Sequence, residues 1–211
     1  MALDLEEQEQ VDALKSWWKT HGSKVIIGVS VFVLAVGGYR YWDAYRHQQT
    51  AEASALFQSL ANEFARGDSQ KIRAVAGQII DKYPRTVYAS DAALIAAKTN
   101  FEAGDLKSAK AQLQWVLDHA RDSQSQDLAR WRLAAVLLDE KAYDESLKML
   151  NAKHDPAFDA LYSDLKGDVL AIQGKADEAR AAYQAALDKM PKNNAARGLV
   201  EIKLDALGKQ G

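Results

Sequence analysis

Histidine, cysteine and the carboxylates are the residues that most often carry out chemistry, and here they form no recognisable site. The sequence has four histidines and no cysteine. The histidines lie at positions 21, 47, 119 and 154, and none has the helical or metal-ligand spacing to another that a shared metal ion requires. The lack of cysteine excludes disulfides, thiolate metal ligands and thiol nucleophiles together. We therefore predict that all four histidines are lone surface residues.

Carboxylates are plentiful, but their surroundings are those of solvated helix faces. Asp105 is followed closely by Lys107, and Asp177 by Arg180, a mixed-charge pattern typical of helix surfaces. The sequence has no Gly-rich phosphate loop, no nucleophile elbow and no paired histidine and acid motif. We predict no catalytic, cofactor-binding or metal-ligating residue, and interpret the protein as a non-enzyme with no small-molecule substrate.

The charge balance argues against nucleic acid as a partner. Lys and Arg total 27 and Asp and Glu total 29, which gives a net charge of −2. Neither sign is concentrated: residues 1–46 carry five basic and six acidic side chains, which leaves 22 and 23 for the remainder. A nucleic-acid-binding protein normally shows a basic stripe. The expected partners are therefore proteins.

An uncharged apolar run occupies residues 25–39. It is shorter than the about 20 residues that a transmembrane helix needs, but its flanks extend the usable length. A helix from Trp18 to Trp42 would rise roughly 36 Å, enough for the hydrocarbon core and both interfaces. Flanking aromatic residues and snorkelling cations are typical of bilayer-crossing helices. We predict a transmembrane helix over 24–42 with these interface anchors: Trp17, Trp18, Lys24, Tyr39, Arg40, Tyr41 and Trp42.

Two other interpretations of the apolar run remain open from the sequence. A cleaved signal peptide would have a short basic leader and small residues before a cleavage site, whereas this leader is long and acid-rich. A buried helix of a soluble domain would also be apolar. The orientation is weakly indicated, since three lysines precede the run and Arg40 and Arg46 follow it. This bias slightly favours a cytoplasmic N-terminus.

Three similar turn-like hexamers recur after the apolar run, at 104–109, 141–146 and 174–179. The second starts 37 residues after the first, and the third 33 residues after the second. These offsets bracket the tetratricopeptide period of about 34 residues. Alanine and leucine recur at helical spacing, and only three prolines occur. The pattern predicts antiparallel helical hairpins stacked as a solenoid.

The last repeat carries the clearest signature. Small residues let its two helices approach closely, a tyrosine fills the gap to the neighbouring repeat, and a proline ends the second helix. The residues in these repeat-packing roles are Gly167, Gly174, Ala179, Tyr183, Ala186 and Pro191. Weaker matches place earlier repeats at 127–159, 90–122 and 53–86, and a capping helix at 193–208.

The predicted fold class is all-α, with one N-terminal transmembrane helix followed by a tetratricopeptide-like solenoid of helical hairpins. The predicted segments are an N-terminal segment at 1–23, the transmembrane helix at 24–42, a juxtamembrane linker helix at 43–52 and a domain of about four degenerate repeats plus a capping helix at 53–211.

The concave face of such a solenoid is the candidate binding surface. In tetratricopeptide arrays the first helix of each repeat lines that face, and a row of apolar side chains there suits an extended or helical peptide. The candidate groove residues are Phe57, Phe64, Leu94, Phe101, Trp131, Leu138 and Leu161. The alternative is that these side chains are ordinary core contacts, which the sequence leaves open.

The chain resembles the YfgM family, the ancillary subunit of the bacterial Sec translocon. The stretches EQVDALK at 9–15, WWK at 17–19 and YRYW at 39–42 look like the N-terminal motif of that family, and DLKGDVL at 164–170 with 174–183 is similar to its final repeat. The resemblance implies an inner-membrane protein with a cytoplasmic N-terminus and a periplasmic repeat domain. It further implies association with the SecYEG translocon, with a membrane-anchored periplasmic chaperone and with exported client proteins.

Two functions from different classes follow. The first is an interaction subunit of the export machinery that links it to chaperones. The alternative is a scaffold or regulator of another envelope complex, such as the cell-wall or division machinery or stress signalling. The partners that co-purify in mild detergent would distinguish the two.

Overall fold

The computed structural model describes the backbone of residues 2–208 and the side chains of residues 7–208. Within that part of the chain every regular element is helical and no β-strand occurs. The elements are α1 (Ala2–Arg66), α2 (Ser69–Lys82), α3 (Val87–Glu102), α4 (Leu106–His119), α5 (Ser123–Asp139), α6 (Tyr143–Leu150), a 3-10 helix (Pro156–Phe158), α7 (Asp159–Ile172), α8 (Ala176–Lys189) and α9 (Arg197–Ala206). The predicted all-α class is confirmed.

The chain divides into two compact units, Met1–Gln49 and Thr50–Gly211. The described part of the first unit is helical and belongs to α1, the one described helix that is long and apolar enough to cross a membrane. Its apolar side chains are open, with Phe32 68% and Leu34 75% exposed. The interpretation of this run as the buried helix of a soluble domain is therefore wrong. Exposed apolar side chains along a helix are the surface that lipid covers in a membrane-crossing segment.

The hairpins of the second unit close through one repeated turn. Three turns use a glycine with positive φ, and these are Gly67 (+74°), Gly104 (+76°) and Gly174 (+75°). The next amide then donates to the carbonyl five residues back, as Asp105 N does to Asn100 O at 2.9 Å. This Schellman arrangement satisfies carbonyls that the helix end would leave unpaired. The hairpin of α5 and α6 closes in the same way with Lys141 at φ +62°, a conformation that glycine adopts more easily.

Aspartates start several of the helices. Asp68, Asp105 and Asp122 precede α2, α4 and α5, and each carboxylate accepts the amide N–H three residues later. The hydrogen bond from the Lys71 amide lowers the pKa of Asp68, and hydrogen bonds from Ser108 lower the pKa of Asp105. Capping of this kind satisfies orphan N–H groups and fixes where each helix begins.

The hairpin of α7 and α8 packs closely because small residues line its contact. Gly167 is buried, and a Cβ built on it would lie 2.5 Å from Cδ1 of Tyr183. Ala179 and Ala186 each have 0% exposure. Pro191 directly follows the C-cap residue of α8, which is Met190. A larger residue at 167 would have to displace the tyrosine ring.

The last helix, α9, covers the end of the array and is tied to α7 through Lys203. The Lys203 ammonium donates to Asp164 at 2.8 Å and to Asp168 at 2.9 Å. Tyr183 donates its hydroxyl to Asp168 at 2.8 Å, so α7, α8 and α9 share one polar cluster. Burial raises the pKa of Asp164, and Lys203 offsets part of that increase. The cluster holds the terminal helix over the apolar end that a solenoid otherwise leaves open.

One histidine lies in a packed position, so the prediction of four lone surface histidines is wrong. The His154 ring stacks on Tyr162 at 3.9 Å between centroids, and its Nε2 lies 3.2 Å from Asp159. His47 also has a partner, since its Nε2 lies 3.4 Å from Asp43 one helical turn away. These contacts depend on the fold and on i, i+4 pairing with acids, which a search for paired histidines does not detect.

Candidate protein-binding groove

The first helices of successive hairpins lie side by side, since α3 contacts α5 and α5 contacts α7. The predicted groove residues are distributed over these helices and the end of α1, which carries Phe57 and Phe64; α3 carries Leu94 and Phe101, α5 carries Trp131 and Leu138, and α7 carries Leu161. A ligand lying across these helices would therefore contact several repeats at once.

Four of the predicted residues are open to solvent and form what we call the groove row: Phe64, Phe101, Trp131 and Leu161. Phe64 and Leu161 are each 38% exposed and Phe101 is 37% exposed. Trp131 is half-buried. Large apolar side chains with this much free surface are common where a protein receives a partner.

A pocket of about 280 Å³ lies in the groove row between α3 and α5. Phe101 and Trp131 line it, together with Ala97, Leu113, Ala135, Val136, Lys98 and Arg132. The lining is mostly apolar, and the two cations supply its charge. A shape of this kind accepts one apolar side chain, with the cations available to a polar group beside it.

The Trp131 indole is held in a fixed position. Its Nε1 donates to the Leu161 carbonyl oxygen at 3.1 Å, a bond that connects α5 to α7. The ring also packs against the buried cluster that contains Tyr162 and Leu165. A rigid, half-exposed tryptophan contributes contact area with little loss of side-chain entropy on binding.

The two cations of the pocket differ in their surroundings. Lys98 Nζ lies 3.5 Å from Glu102 and 5.1 Å from the centroid of the Phe64 ring. Arg132 Nη1 donates to the Leu94 carbonyl oxygen at 3.2 Å. Burial lowers the pKa of Arg132, and no charged group contributes to that shift. Lys98 is thus already paired, whereas Arg132 is a half-buried cation whose hydrogen-bond partner within the described part of the chain is a neutral carbonyl.

Of the remaining three predicted groove residues, Leu94 has the packing of a core residue, the alternative that the sequence left open, and Phe57 and Leu138 are half-buried. Leu94 is 6% exposed within the largest buried cluster. Phe57 packs against that cluster and against the Tyr88 ring, 5.4 Å away. Leu138 packs against the cluster around Tyr162. Leu94 is therefore turned inward although it shares α3 with Phe101.

Sequence reasoning missed the cations of the pocket. Lys98 shares α3 with two acids and Arg132 shares α5 with three other charged residues, a mixed-sign pattern that is usual on a solvated face. What distinguishes Arg132 is its burial beside an apolar pocket, which is a property of the packed repeats. Among the described residues, no group of three or more His, Asp or Glu side chains could hold a metal ion.

The predicted interface anchors of the apolar helix are all exposed, and these are Trp17, Trp18, Lys24, Tyr39, Arg40, Tyr41 and Trp42. Tyr39 is 71% and Tyr41 77% exposed. On the N-terminal side the Trp18 ring covers Gly22, where a Cβ would lie 3.1 Å from the indole. Aromatic side chains at both ends of the apolar run are available to a membrane interface.

Comparison with known proteins identifies the family. A family described as Tetratricopeptide repeat-like domain matches residues 15–209. The ancillary SecYEG translocon subunit of Neisseria gonorrhoeae (strain ATCC 700825 / FA 1090) is 36% identical over 211 residues, which cover 98% of this chain and 100% of that protein. The chain belongs to the ancillary SecYEG translocon subunit family. The resemblance to the YfgM family is confirmed.

More distant members of the ancillary SecYEG translocon subunit family also match along nearly their full length. The protein of Haemophilus influenzae is 32% identical over 88% of this chain and 91% of its own length. The protein of Escherichia coli (strain K12) is 27% identical over 95% of this chain and 96% of its own length. The solved structure of Pseudomonas aeruginosa pilF matches with a TM-score of 0.60 at 17% identity, covering 77% of this chain and 68% of that one. That likeness supports the tetratricopeptide-like fold alone.

Proposed function

We propose that this protein is a membrane-anchored interaction subunit that associates with the Sec translocon. The observation that carries the proposal is the match to a protein named ancillary SecYEG translocon subunit, over 98% of this chain and all of that protein. A match of that extent includes the apolar helix as well as the repeats. Both parts are needed, since the helix would keep the protein near a membrane channel and the repeats would bind its partners.

In this proposal residues 1–23 lie in the cytoplasm, 24–42 cross the inner membrane, 43–52 form a linker helix and 53–211 lie in the periplasm. Lys15, Lys19 and Lys24 precede the apolar run, against Arg40 and Arg46 after it. An excess of basic residues on the N-terminal side supports this direction because cytoplasmic flanks tend to carry more Lys and Arg.

The repeat domain would link the translocon to a membrane-anchored periplasmic chaperone and to exported client proteins. Because the protein is anchored beside its partners, such a link requires only a low binding affinity. A tethered module meets a neighbouring partner at an effective concentration on the order of millimolar. A groove with a shallow pocket and a short row of apolar side chains would then be occupied for a useful fraction of time and still release its ligand quickly. The protein acts by binding and carries out no catalysis.

Purification of the full-length tagged chain in a mild detergent, followed by identification of the co-purifying proteins, tests this function. We expect SecYEG together with a periplasmic chaperone. A variant in which residues 25–38 are replaced by an unrelated apolar span shows whether the membrane helix makes the contact. The double variant Phe101→Ala/Trp131→Phe shows whether the groove makes it.

Recovery of cell-wall or division enzymes in place of SecYEG would contradict the proposal and favour the scaffold function. Loss of SecYEG only in the variant with the exchanged helix would assign the translocon contact to the membrane span. Loss of the chaperone only in the groove variant would assign the chaperone contact to the repeats. The two partners are thus assigned separately.

A further inference from the structure

The pocket between α3 and α5 contains a cation that has no acidic side-chain oxygen within 4.0 Å among residues 7–208. Arg132 lines the pocket beside Phe101 and Trp131. Its hydrogen bond within residues 7–208 goes to the neutral carbonyl of Leu94, and among those residues it takes part in no ion pair. The other guanidinium nitrogens are not among the buried atoms that lack a partner. They are therefore reached by solvent and remain available to a ligand.

The electrostatic state of Arg132 distinguishes it from an ordinary surface arginine. Arg132 is half-buried, and this burial lowers its pKa with no acid acting in the opposite direction. A carboxylate brought to such a cation forms charge-assisted hydrogen bonds that are stronger than the same bonds in open solvent. Lys98 offers less, because Glu102 already lies 3.5 Å from its ammonium.

We propose that this pocket receives one large apolar side chain of a partner peptide, and that an Asp or Glu of the same peptide, next to that side chain, pairs with Arg132. The proposal rests on the proposed function and specifies the partner chemistry of its groove. An apolar residue alone would fill the pocket and leave the guanidinium without a counterion. An acidic residue alone would leave Phe101 and Trp131 uncovered.

The size of the pocket and the length of the groove row favour an internal peptide segment. A volume of about 280 Å³ lies just below the roughly 300–1,000 Å³ typical of drug-sized ligand sites, so it suits a single side chain. Phe64 and Leu161 provide exposed apolar surface on α1 and α7, the helices before and after those that form the pocket. A ligand that uses these contacts continues in both directions and therefore supplies its charge from a side chain, not from a chain end.

Selection from a phage-displayed library of random peptides tests the proposal. The target is the full-length chain in lipid nanodiscs, with Arg132→Gln as a parallel target. Arg121→Gln makes the same charge change at an exposed arginine outside the pocket and serves as the control. We expect wild type and the control to enrich peptides with Asp or Glu beside a large apolar residue, and Arg132→Gln to lose that preference.

Fluorescence anisotropy with one enriched peptide and its counterpart carrying Gln for Glu, or Asn for Asp, then measures the charge contribution. On wild type the amide peptide should bind about tenfold or more weakly, the effect of losing a hydrogen-bonded charge pair. On Arg132→Gln the two peptides should bind equally. Arg132→Lys, which keeps a cation but not the planar guanidinium, should fall between. If Arg132→Gln does not fold, the comparison of the two peptides is made on Arg132→Lys instead.

The proposal would be overturned by no acidic preference among the enriched peptides, by equal binding of both peptides to wild type, or by the same preference in wild type and Arg132→Gln. Failure to enrich any peptide also contradicts it, since the groove would then take no linear segment. These outcomes are separate from the proposed function. Co-purification of SecYEG depends on the whole anchored protein and would persist if only this specificity were absent.

Discussion

The ring of Tyr183 on α8 lies directly against the backbone of Gly167 on α7. A Cβ at position 167 would be 2.5 Å from Cδ1 and 2.9 Å from Cζ of that ring. Atoms cannot approach so closely, so any side chain at 167 must displace the ring. The ring in turn is held by the hydrogen bond from its hydroxyl to Asp168 at 2.8 Å. Hydrogen bond and contact together fix the spacing of the last hairpin.

Replacement of Gly167 by alanine should therefore destabilise the protein although alanine favours helices. Overpacking of this kind costs about 1–3 kcal/mol. Gly77→Ala is the matched control, because Gly77 is also helical but has nothing within 4 Å of a built Cβ. That change should be neutral or stabilising by up to about 1 kcal/mol. Urea denaturation of the full-length chain in detergent, followed by circular dichroism, measures both. Equal effects would show that the close contact has no energetic role.

Removal of the Lys203 ammonium should weaken the attachment of α9. In Lys203→Met the carboxylates of Asp164 and Asp168 lose the ammonium group that donates a hydrogen bond to each of them. A part-buried charge left without its partner costs about 1–3 kcal/mol of stability. The deficit relative to wild type should shrink as the pH falls from neutral towards the ordinary carboxyl value of 3.8. Burial already raises the pKa of Asp164, so this carboxyl takes up a proton above that value and no longer needs a cation.

At high pH the wild-type protein should lose the part of its free energy of unfolding that Lys203 contributes. Burial disfavours the Lys203 ammonium, but its hydrogen bonds to the two aspartates outweigh this and raise its pKa above 10.5. A lysine pKa raised in the folded state adds stability that is complete below the unfolded value and is lost as the pH rises through the folded value. Denaturation curves recorded across that range should show the loss in wild type and not in Lys203→Met.

Replacement of Lys141 by glycine should stabilise the hairpin of α5 and α6. Lys141 adopts φ +62°, and this conformation costs a residue with a Cβ roughly 1–2 kcal/mol. Glycine removes that cost but loses about 0.5–1 kcal/mol through its freer unfolded chain, so a net gain of about 0.5–1 kcal/mol is expected. Lys148→Gly, at an exposed position inside α6, should instead lose about 1 kcal/mol. A thermal melting point for Lys141→Gly below that of wild type would contradict the strain assigned to this turn.

Phe57 and Phe101 should respond differently to truncation. Phe57 packs against the Tyr88 ring and the largest core, and truncation of core aromatics costs up to about 3–5 kcal/mol. Phe101 is 37% exposed, so Phe101→Ala should cost much less stability but weaken peptide capture, since interface aromatics often contribute about 2 kcal/mol or more. Melting temperature and peptide affinity, measured on both variants, separate the roles. If Phe101→Ala kept full affinity, the groove row would not include it.

The proposed orientation can be tested with single cysteines, because the chain has none of its own. Ser16→Cys lies before the apolar run, and Ser69→Cys lies at the start of α2; both serines are exposed. A membrane-impermeant maleimide added to intact spheroplasts should label the variant at 69 and not the variant at 16. After membrane disruption it should label both. The reverse pattern would place the repeats in the cytoplasm.

The helical hairpins could be predicted because their signals are local. The turns at 104–109 and 174–179 each begin with a glycine that takes positive φ, and small residues mark the close contacts between helices. The third turn starts with Lys141 in the same conformation, and only its similarity to the other two turns revealed it. The sequence of a turn therefore predicts where a helix ends even when, as at Lys141, another residue replaces the usual glycine.

The groove could be predicted only in part because burial depends on how the repeats stack. Leu94 and Phe101 both stand on α3, yet Leu94 is 6% and Phe101 37% exposed. A helical period assigns a residue to a face, but the twist between repeats decides how much of that face remains open. The burial of Arg132 likewise could not be predicted from the sequence. A charged side chain ordinarily lies in solvent, and only the packed repeats show that this one is half-buried beside an apolar pocket.

The hydrogen bond from Trp131 to the Leu161 carbonyl has a consequence for protein dynamics. The same indole faces the pocket and connects α5 to α7, so a ligand that contacts the ring binds best when that connection is intact. Occupation of the pocket would then oppose local opening between the two hairpins by thermodynamic linkage. Amide hydrogen exchange in α7, some distance along the chain from the pocket helices, should slow when peptide binds. A partner held in the groove would thus stiffen α7 through the Trp131 hydrogen bond as well as through direct contact with Leu161.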